Sequence, residues 1–333
     1  MNNSHKPPEC TYSGVLAQIC KAFIIEKRAV GYEYRSEDER LSEFSRFSEN
    51  YNIPSETLTE EVVKAWISPR PMESDRTRYH RFSIIRQFAE YMIRMGYAAY
   101  IPSSSELGKL HKSFVPYIFT HEEINRFFNA VDSMQPFAKT SAPRRHLVMP
   151  VLFRLLYCCG LRLSEATHLR GKDVDLQSGI LTIQDSKFGK SRYVPMSEEL
   201  TTVCAKYSKT RLIDDTDDWF LPSRDGGYYG NRSVYSTFRR LLLQAQIHHG
   251  GRGKGPRVHD FRHTFAVHCL QKWTANGDDI TTALPYLREY LGHEHISATE
   301  QYLRMTAEVY PEISALMQEK YGYIIPGMEV VVK

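Results

Sequence analysis

The sequence predicts a mainly α protein in two domains, a helical bundle followed by a larger α domain that carries a small antiparallel sheet. Three observations lead there. Apolar residues recur at helical spacing through the first third of the chain. Two short β-type runs flank a single turn in the second half. The length, 333 residues, is about twice that of a usual single domain.

Each element has its own signal. Residues Val15 to Arg28 put Leu16, Ile19 and Phe23 on one helical stripe. A second helix, Glu37 to Asn50, turns Leu41, Phe44 and Phe47 inward. A third, Thr59 to Ile67, follows the break at Ile53-Pro54-Ser55 and ends at Ser68-Pro69-Arg70-Pro71. A fourth runs from Asp75 to Met95 and stops at Gly96. Residues 12–100 therefore form a bundle. From Ile101 to Tyr117, Pro, Gly and Ser alternate with Lys109, His111 and Lys112, a pattern that suits a basic interdomain linker. The second domain is expected over 118–321, with a tail over 322–333. In it His146 to Cys159 is a strongly apolar helix stopped by Gly160, and Ser164 is placed to cap a short helix carrying Glu165 to His168. Ile180 to Ile183 and Tyr193 to Pro195 read as strands joined by the turn Asp185 to Lys190. Further on, the basic glycine-rich loop Gly250 to Arg257 precedes a helix starting near Asp260. Ser297 and Glu300 make a capping box for a short helix that includes Tyr302.

Composition excludes several classes. A hydrophobic share of 42% and a charged share of 25% suit a folded chain with a sizeable core rather than a disordered one. No stretch approaches the roughly 18 consecutive apolar residues of a membrane helix. Met1 to Cys10 is polar and lacks the apolar core of a secretion signal. The six cysteines show no C-x-x-C spacing, so neither a disulfide framework nor a zinc ribbon is expected, and a reducing, cytoplasmic setting fits. A formal charge of +4 permits a nucleic-acid partner without demanding one.

Basic groups gather at the edges of elements. Arg162 follows a glycine stop in Gly160-Leu-Arg-Leu-Ser-Glu165, His259 and Arg262 share a helix face, Lys187 lies in the hairpin turn, and His293 follows the stop Leu291-Gly292. Two arginines, one lysine and two histidines match the needs of a pentacoordinate phosphoryl transition state, whose equatorial oxygens bind guanidinium forks. There is no H-E-x-x-H grouping, so charge neutralisation falls to protein cations. His259 and His263 have a spacing that can bind zinc, but no third ligand is implied. Tyr302, nine residues after His293, is the candidate nucleophile. Its phenol, with an ordinary pKa near 10, must lose its proton during attack.

Gly160-Leu-Arg-Leu-Ser-Glu-Ala166, His259-Asp-Phe-Arg-His-Thr-Phe-Ala266 and Leu291-Gly-His-Glu-His-Ile-Ser-Ala-Thr-Glu-Gln-Tyr302 resemble the three signature boxes of the tyrosine recombinases, the family of phage integrases and Xer-like resolvases. The resemblance covers about Phe119 to Tyr310; the bundle resembles the family's core-binding domain in length and helical character. It implies that Arg162 and Arg262 clamp the scissile phosphate, that His259 assists proton transfer at the nucleophile, and that His293 hydrogen-bonds the phosphate. Tyr302 would form a 3′-phosphotyrosyl bond and Lys187 would protonate the departing 5′ oxygen, Lys190 being the competing assignment. Glu165 would hold the clamp in place. Phe261, where many members carry Leu, should affect packing only.

The resemblance further implies a metal- and ATP-independent recombinase, with no cofactor, that acts on double-stranded DNA held between bundle and catalytic domain. Four protomers would exchange strands through a Holliday junction, and no membrane partner is expected. Lys187, Lys190 and Arg192 are expected to follow DNA phosphates, a solvated charged hairpin being the alternative. For the Gly250 to Arg257 loop, contact with DNA backbone and simple solvation stand equal. His263 and His295 are expected in packing or facing DNA. Glu308 to Lys320, with Ile313, Leu316 and Met317 in helical phase, would dock on a neighbouring protomer or on its own domain. Two other functions compete: relaxation of DNA in the manner of a type IB topoisomerase, and a DNA-binding accessory subunit without catalysis.

Overall fold

The computed structural model describes residues 10–54, 56–108, 115–136, 144–184, 191–211, 217–251, 255–293, 299 and 302. The chain divides into two compact units, Met1–Phe114 and Val115–Lys333.

The first unit is built from α1 (Ala17–Ala29), α2 (Arg35–Ser48), β1 (Thr57–Leu58), α3 (Glu60–Ile67), α4 (Asp75–Arg94) and β2 (Ala98–Ala99). The four helices form where periodicity places them. Thr59 caps α3 by accepting from the Val62 amide, and Ser74 caps α4 by accepting from the Thr77 amide. Their apolar faces meet in a core where Phe23, Phe44 and Phe88 are sealed from water and Trp66 nearly so. The two-residue parallel pairing of β1 with β2 was not legible in the sequence.

The expected linker begins later than Ile101. Ser104–Leu107 forms a 3-10 turn closed by Ser103 and Glu106, and Leu107 is buried in the bundle core. The Arg78 guanidinium donates to the carbonyls of Leu107 (2.9 Å) and Glu106 (3.4 Å), which fastens the turn to α4. At the other end Tyr117 packs on the second core, and its hydroxyl donates to Glu123. Lys109, His111 and Lys112 lie outside the described residues.

The second unit contains α5 (His121–Asp132), α6 (Arg145–Cys158), α7 (Leu163–Thr167), β3 (Val174–Asp175), β4 (Ile180–Ile183), β5 (Arg192–Pro195), α8 (Glu198–Arg211), α9 (Asn231–Gln244), α10 (Asp260–Asn276) and α11 (Ile280–Leu291). The sheet is antiparallel in the order β3-β4-β5, with Ile183 opposite Arg192 and Ile180 opposite Pro195. Strand β5 thus starts one residue before the expected Tyr193, and Arg192 shares its inward phase with Val194, while Tyr193 is 74% exposed. Helix α7 also differs in its cap. Arg162, not Ser164, occupies the N-cap, and the Glu165 carboxylate reaches back to its amide at 2.8 Å.

Helix α10 is buried on two sides, which fixes the residues at its start. Phe261 has no exposed surface and sits among Phe119 (5.1 Å between ring centroids), Phe127 (5.0 Å) and Phe238 (5.6 Å). The other face, with Ala266, Val267 and Leu270, packs on Leu284, Leu287 and Leu291 of α11. Since His259 and Arg262 flank Phe261, its packing aims them. Phe261→Ala should therefore lower unfolding free energy by about 3–5 kcal/mol in urea titration, whereas Phe261→Leu should cost under about 1.5 kcal/mol.

Candidate active site

Arg162 enters from the α6–α7 junction. Gly160, with φ +58°, ends α6 in the left-handed region, and a Cβ there would lie 2.6 Å from the Phe265 ring and 2.8 Å from Leu291. This close approach brings the junction against the end of α11. The Arg162 guanidinium then donates from Nη1 to Glu165 Oε1 (2.7 Å) and from Nη2 to the Gly292 carbonyl (3.0 Å). Its side chain keeps 24% of its surface exposed.

Arg262 is 2% exposed and ties the junction to α11, donating from Nη1 to the Gly160 carbonyl (2.7 Å) and from Nη2 to the Leu291 carbonyl (2.6 Å). Burial, with the charge of Arg162 beside it, lowers its pKa to about 10, so it stays charged at neutral pH.

Arg192 departs from expectation. Expected to follow DNA phosphates, it instead has a side chain 10% exposed whose fork grips Glu165, with Nη1 to Oε1 and Nη2 to Oε2 both at 2.9 Å. Its Nε donates to the Tyr290 carbonyl (2.9 Å). The cause is strand phase, which turns Arg192 inward with Val194. Burial would raise the pKa of Glu165, but hydrogen bonds and charge from Arg192, joined by Arg162, bring it down to about 2.

Helix α11 ends at Gly292, φ +67°, where a Cβ would sit 3.0 Å from Arg192 Nη1. His293 follows, its amide bonded to the Arg288 carbonyl. Its Nδ1 lies 2.9 Å from Thr299 Oγ1, and its ring stacks on Tyr302 with centroids 5.9 Å apart. Tyr302 is 3% exposed, and its ring also lies 5.6 Å from that of His263. Burial raises its pKa, although Arg262 and Arg162 pull the other way, so the phenol rests protonated.

The histidines rest neutral. Burial and then the charges of Arg262 and Arg162 lower His293 to about 3. His259 is solvent-exposed at the rim, yet the protein around it and the charges of Arg262, Arg257 and Arg162 lower it to about 4. His263, expected in packing or facing DNA, lies inside the same group, with ring centroids 4.9 Å from His259 and 5.6 Å from Tyr302. Burial, His259 and the arginines lower it to about 3.

Arg162, Arg262, His259, His293, Glu165 and Tyr302 are thus brought together, with Arg192, His263 and Thr299 added. Lys187, Lys190, His295, the Ser297–Glu300 capping box and the Glu308 to Lys320 segment lie outside the described residues, as do 252–254 of the glycine-rich loop. Among the described residues no group of three or more His, Cys, Asp or Glu side chains is placed to hold a metal ion, and no helix is long and apolar enough to cross a membrane.

The depressed imidazoles set a pH dependence. Because His263 and His293 bind a proton less readily folded than at their ordinary 6.5, stability is full above about pH 6.5 and falls as pH drops toward about 3. Each should contribute at most about 1 kcal/mol per pH unit, allowing for partial exposure. Urea midpoints measured from pH 7.5 to 5 should decline in the natural chain and flatten in His263→Gln/His293→Gln.

Comparison with known proteins agrees with this geometry. A sequence profile of the phage integrase family matches residues 118–308. A protein of Sinorhizobium fredii strain NGR234 named "Putative integrase/recombinase y4rB" is 32% identical over 309 residues, 91% of this chain and 97% of its own. The tyrosine recombinase XerC of Oceanobacillus iheyensis is 28% identical, covering 85% of this chain and 89% of its own. Two solved structures share the fold. XerH recombinase bound to a palindromic difH substrate has TM-score 0.61 and 18% identity over 90% of this chain and 84% of its own. The Tn1549 transposon integrase with transposon right-end DNA has TM-score 0.63 and 17% identity over 89% of this chain and 99% of its own. With the mainly α fold and the assembled boxes, these matches place the chain in the phage integrase family: it is a tyrosine recombinase.

Proposed function

We propose that the chain cleaves and rejoins DNA strands through a 3′-phosphotyrosyl bond at Tyr302, exchanging strands between duplexes without metal or ATP. The observation that carries this reading is the convergence of Arg162 and Arg262 on adjacent carbonyls at the end of α11, immediately before His293, whose ring stacks on the buried Tyr302. Arginine forks pair bidentately with phosphate oxygens and stabilise the charge that builds on them as phosphorus becomes five-coordinate. In the tautomer in which Thr299 donates to Nδ1, His293 carries its proton on Nε2 and donates it to a phosphate oxygen.

Attack forms the bond from Tyr302 Oη to phosphorus and breaks the bond from phosphorus to the 5′ oxygen. The phenolic proton passes to His259, which rests neutral with a pKa of about 4 and is reachable from solvent. The 5′ oxygen takes a proton from Lys187, or from Lys190 if the turn is shifted. The phosphodiester energy stays in the covalent link, so a 5′ hydroxyl from another duplex can reverse the steps and rejoin. Glu165 holds Arg162 throughout. Double-stranded DNA is the partner, in keeping with the DNA-bound XerH and Tn1549 integrase structures of the same fold. A homotetramer on DNA, a core-binding role for the first unit and a cytoplasmic location complete the reading.

A nicked suicide duplex, which loses its 5′ hydroxyl by diffusion after cleavage, tests this. Denaturing gels should show a covalent adduct with the natural chain, unchanged by EDTA and absent in Tyr302→Phe. Arg262→Lys should cut the rate of adduct formation by about two to three orders of magnitude, since it loses the fork. Adduct that persists in Tyr302→Phe, or that needs a divalent ion, would contradict the mechanism. Relaxation of a plasmid lacking a recombination site would point to topoisomerase-like action instead.

A further inference from the structure

We propose that Arg192 is a positioning residue whose charge offsets Glu165, so that the charge of Arg162 stays available to a bound phosphoryl group. The inference rests on the reading of Arg162 as a phosphate clamp.

The Glu165 side chain is 5% exposed and accepts from four donors: the Arg162 amide (2.8 Å), Arg162 Nη1 (2.7 Å), and Arg192 Nη1 and Nη2 (each 2.9 Å). The two arginines hold it differently. Arg192 lays its whole fork along the carboxylate and stays inside, at 10% exposure, while Arg162 touches it with one Nη and keeps 24% of its side chain in the open. A buried carboxylate needs a counter-charge, and Arg192 meets that need. Were Arg192 absent, Arg162 would be the nearest cation for Glu165, and the pair would be close to neutral. With Arg192 present, Arg162, Arg192, Arg262 and Glu165 together carry a net of two positive charges. That matches the charge of a five-coordinate phosphoryl group. The bond from Arg192 Nε to the Tyr290 carbonyl keeps its guanidinium beside Gly292, whose carbonyl orients Arg162.

Orthovanadate, an oxyanion that can become five-coordinate, is the probe, titrated calorimetrically into the full-length chain. Binding at this site is taken as the heat that Arg162→Ala removes. Affinity should follow the net charge of the four groups. Arg192→Met should weaken it about tenfold, and Arg192→Met/Glu165→Gln should restore it to within about threefold of the natural chain. Arg192→Lys, which keeps the charge and loses the fork, should stay within about threefold as well. A double variant as weak as Arg192→Met, or an unaltered affinity in Arg192→Met, would reduce Arg192 to a structural tie and overturn the proposal. Should Arg192→Met fail to fold, Arg192→Lys decides, because a tenfold loss there would have the same consequence. A natural chain that binds no vanadate at all would instead count against Arg162 as a clamp, a separate failure from that of Arg192.

Discussion

The carboxyl end of α11 organises the site. Three successive carbonyls, those of Tyr290, Leu291 and Gly292, accept hydrogen bonds from three different arginines: Arg192 Nε at 2.9 Å, Arg262 Nη2 at 2.6 Å and Arg162 Nη2 at 3.0 Å. Carbonyls in the last turn of a helix have no partner within it, and they carry the negative end of the helix dipole. Bonds from guanidinium groups satisfy both conditions, each contributing about 1.5–3 kcal/mol. The arginines arrive from β5, α10 and the α6–α7 junction, so one helix end sets the spacing of cations that the chain supplies from distant segments. His293 is the next residue, turned back by Gly292, and Tyr302 stacks on it. Cations, imidazole and phenol are therefore assembled as one piece, with the Phe261 cluster holding α10 in place beneath them.

That assembly is electrostatically poised. Burial, and then repulsion from the Arg162 guanidinium, lower the pKa of Arg262 to about 10. The same positive field, added to burial, keeps His293 neutral, and burial keeps the Tyr302 phenol protonated. In the proposed reading an incoming phosphate would offset the mutual repulsion of the guanidiniums and favour protonation of a neighbouring imidazole. The cost of gathering like charges is met during folding rather than at the moment of reaction, which is the physical meaning of a preorganised site.

Much of this was legible in the sequence, and the exceptions have specific causes. The four helices of the first unit, α6 with its glycine stop and the start of α10 follow from apolar periodicity and local turn chemistry, which act over a few residues. His259 and Arg262 on one face follow from helical spacing. Their convergence with Arg162, His293 and Tyr302 did not follow from any local pattern; it came from likeness to a family, since it depends on α7, α10 and α11 packing together. Arg192, in a run of cations beside the hairpin turn, reads as a group that follows DNA phosphates. Its alternation with Val194 was the available signal that it points inward. The Glu165 back-bond to Arg162 displaced Ser164 as the cap, an exchange that depends on a buried carboxylate with two arginine partners. Leu107 looked like one apolar residue in a polar linker, and only the Arg78 fork on its turn makes it core. The i, i+4 spacing puts His263 on the face of His259 but does not show that this face meets Tyr302, and nothing in the spacing of Thr299 announced its place beside His293.

The most direct measurement is a crystal structure of the full chain bound to duplex DNA nicked at the cleavage site, with vanadate bridging the nick. Expected is one vanadium centre with Tyr302 Oη and the 5′ oxygen on opposite sides, its equatorial oxygens shared among Arg162, Arg262 and His293, and Arg192 still on Glu165 away from the anion. A centre held by other residues, or the Tyr302 oxygen out of line with the leaving oxygen, would contradict the proposed chemistry.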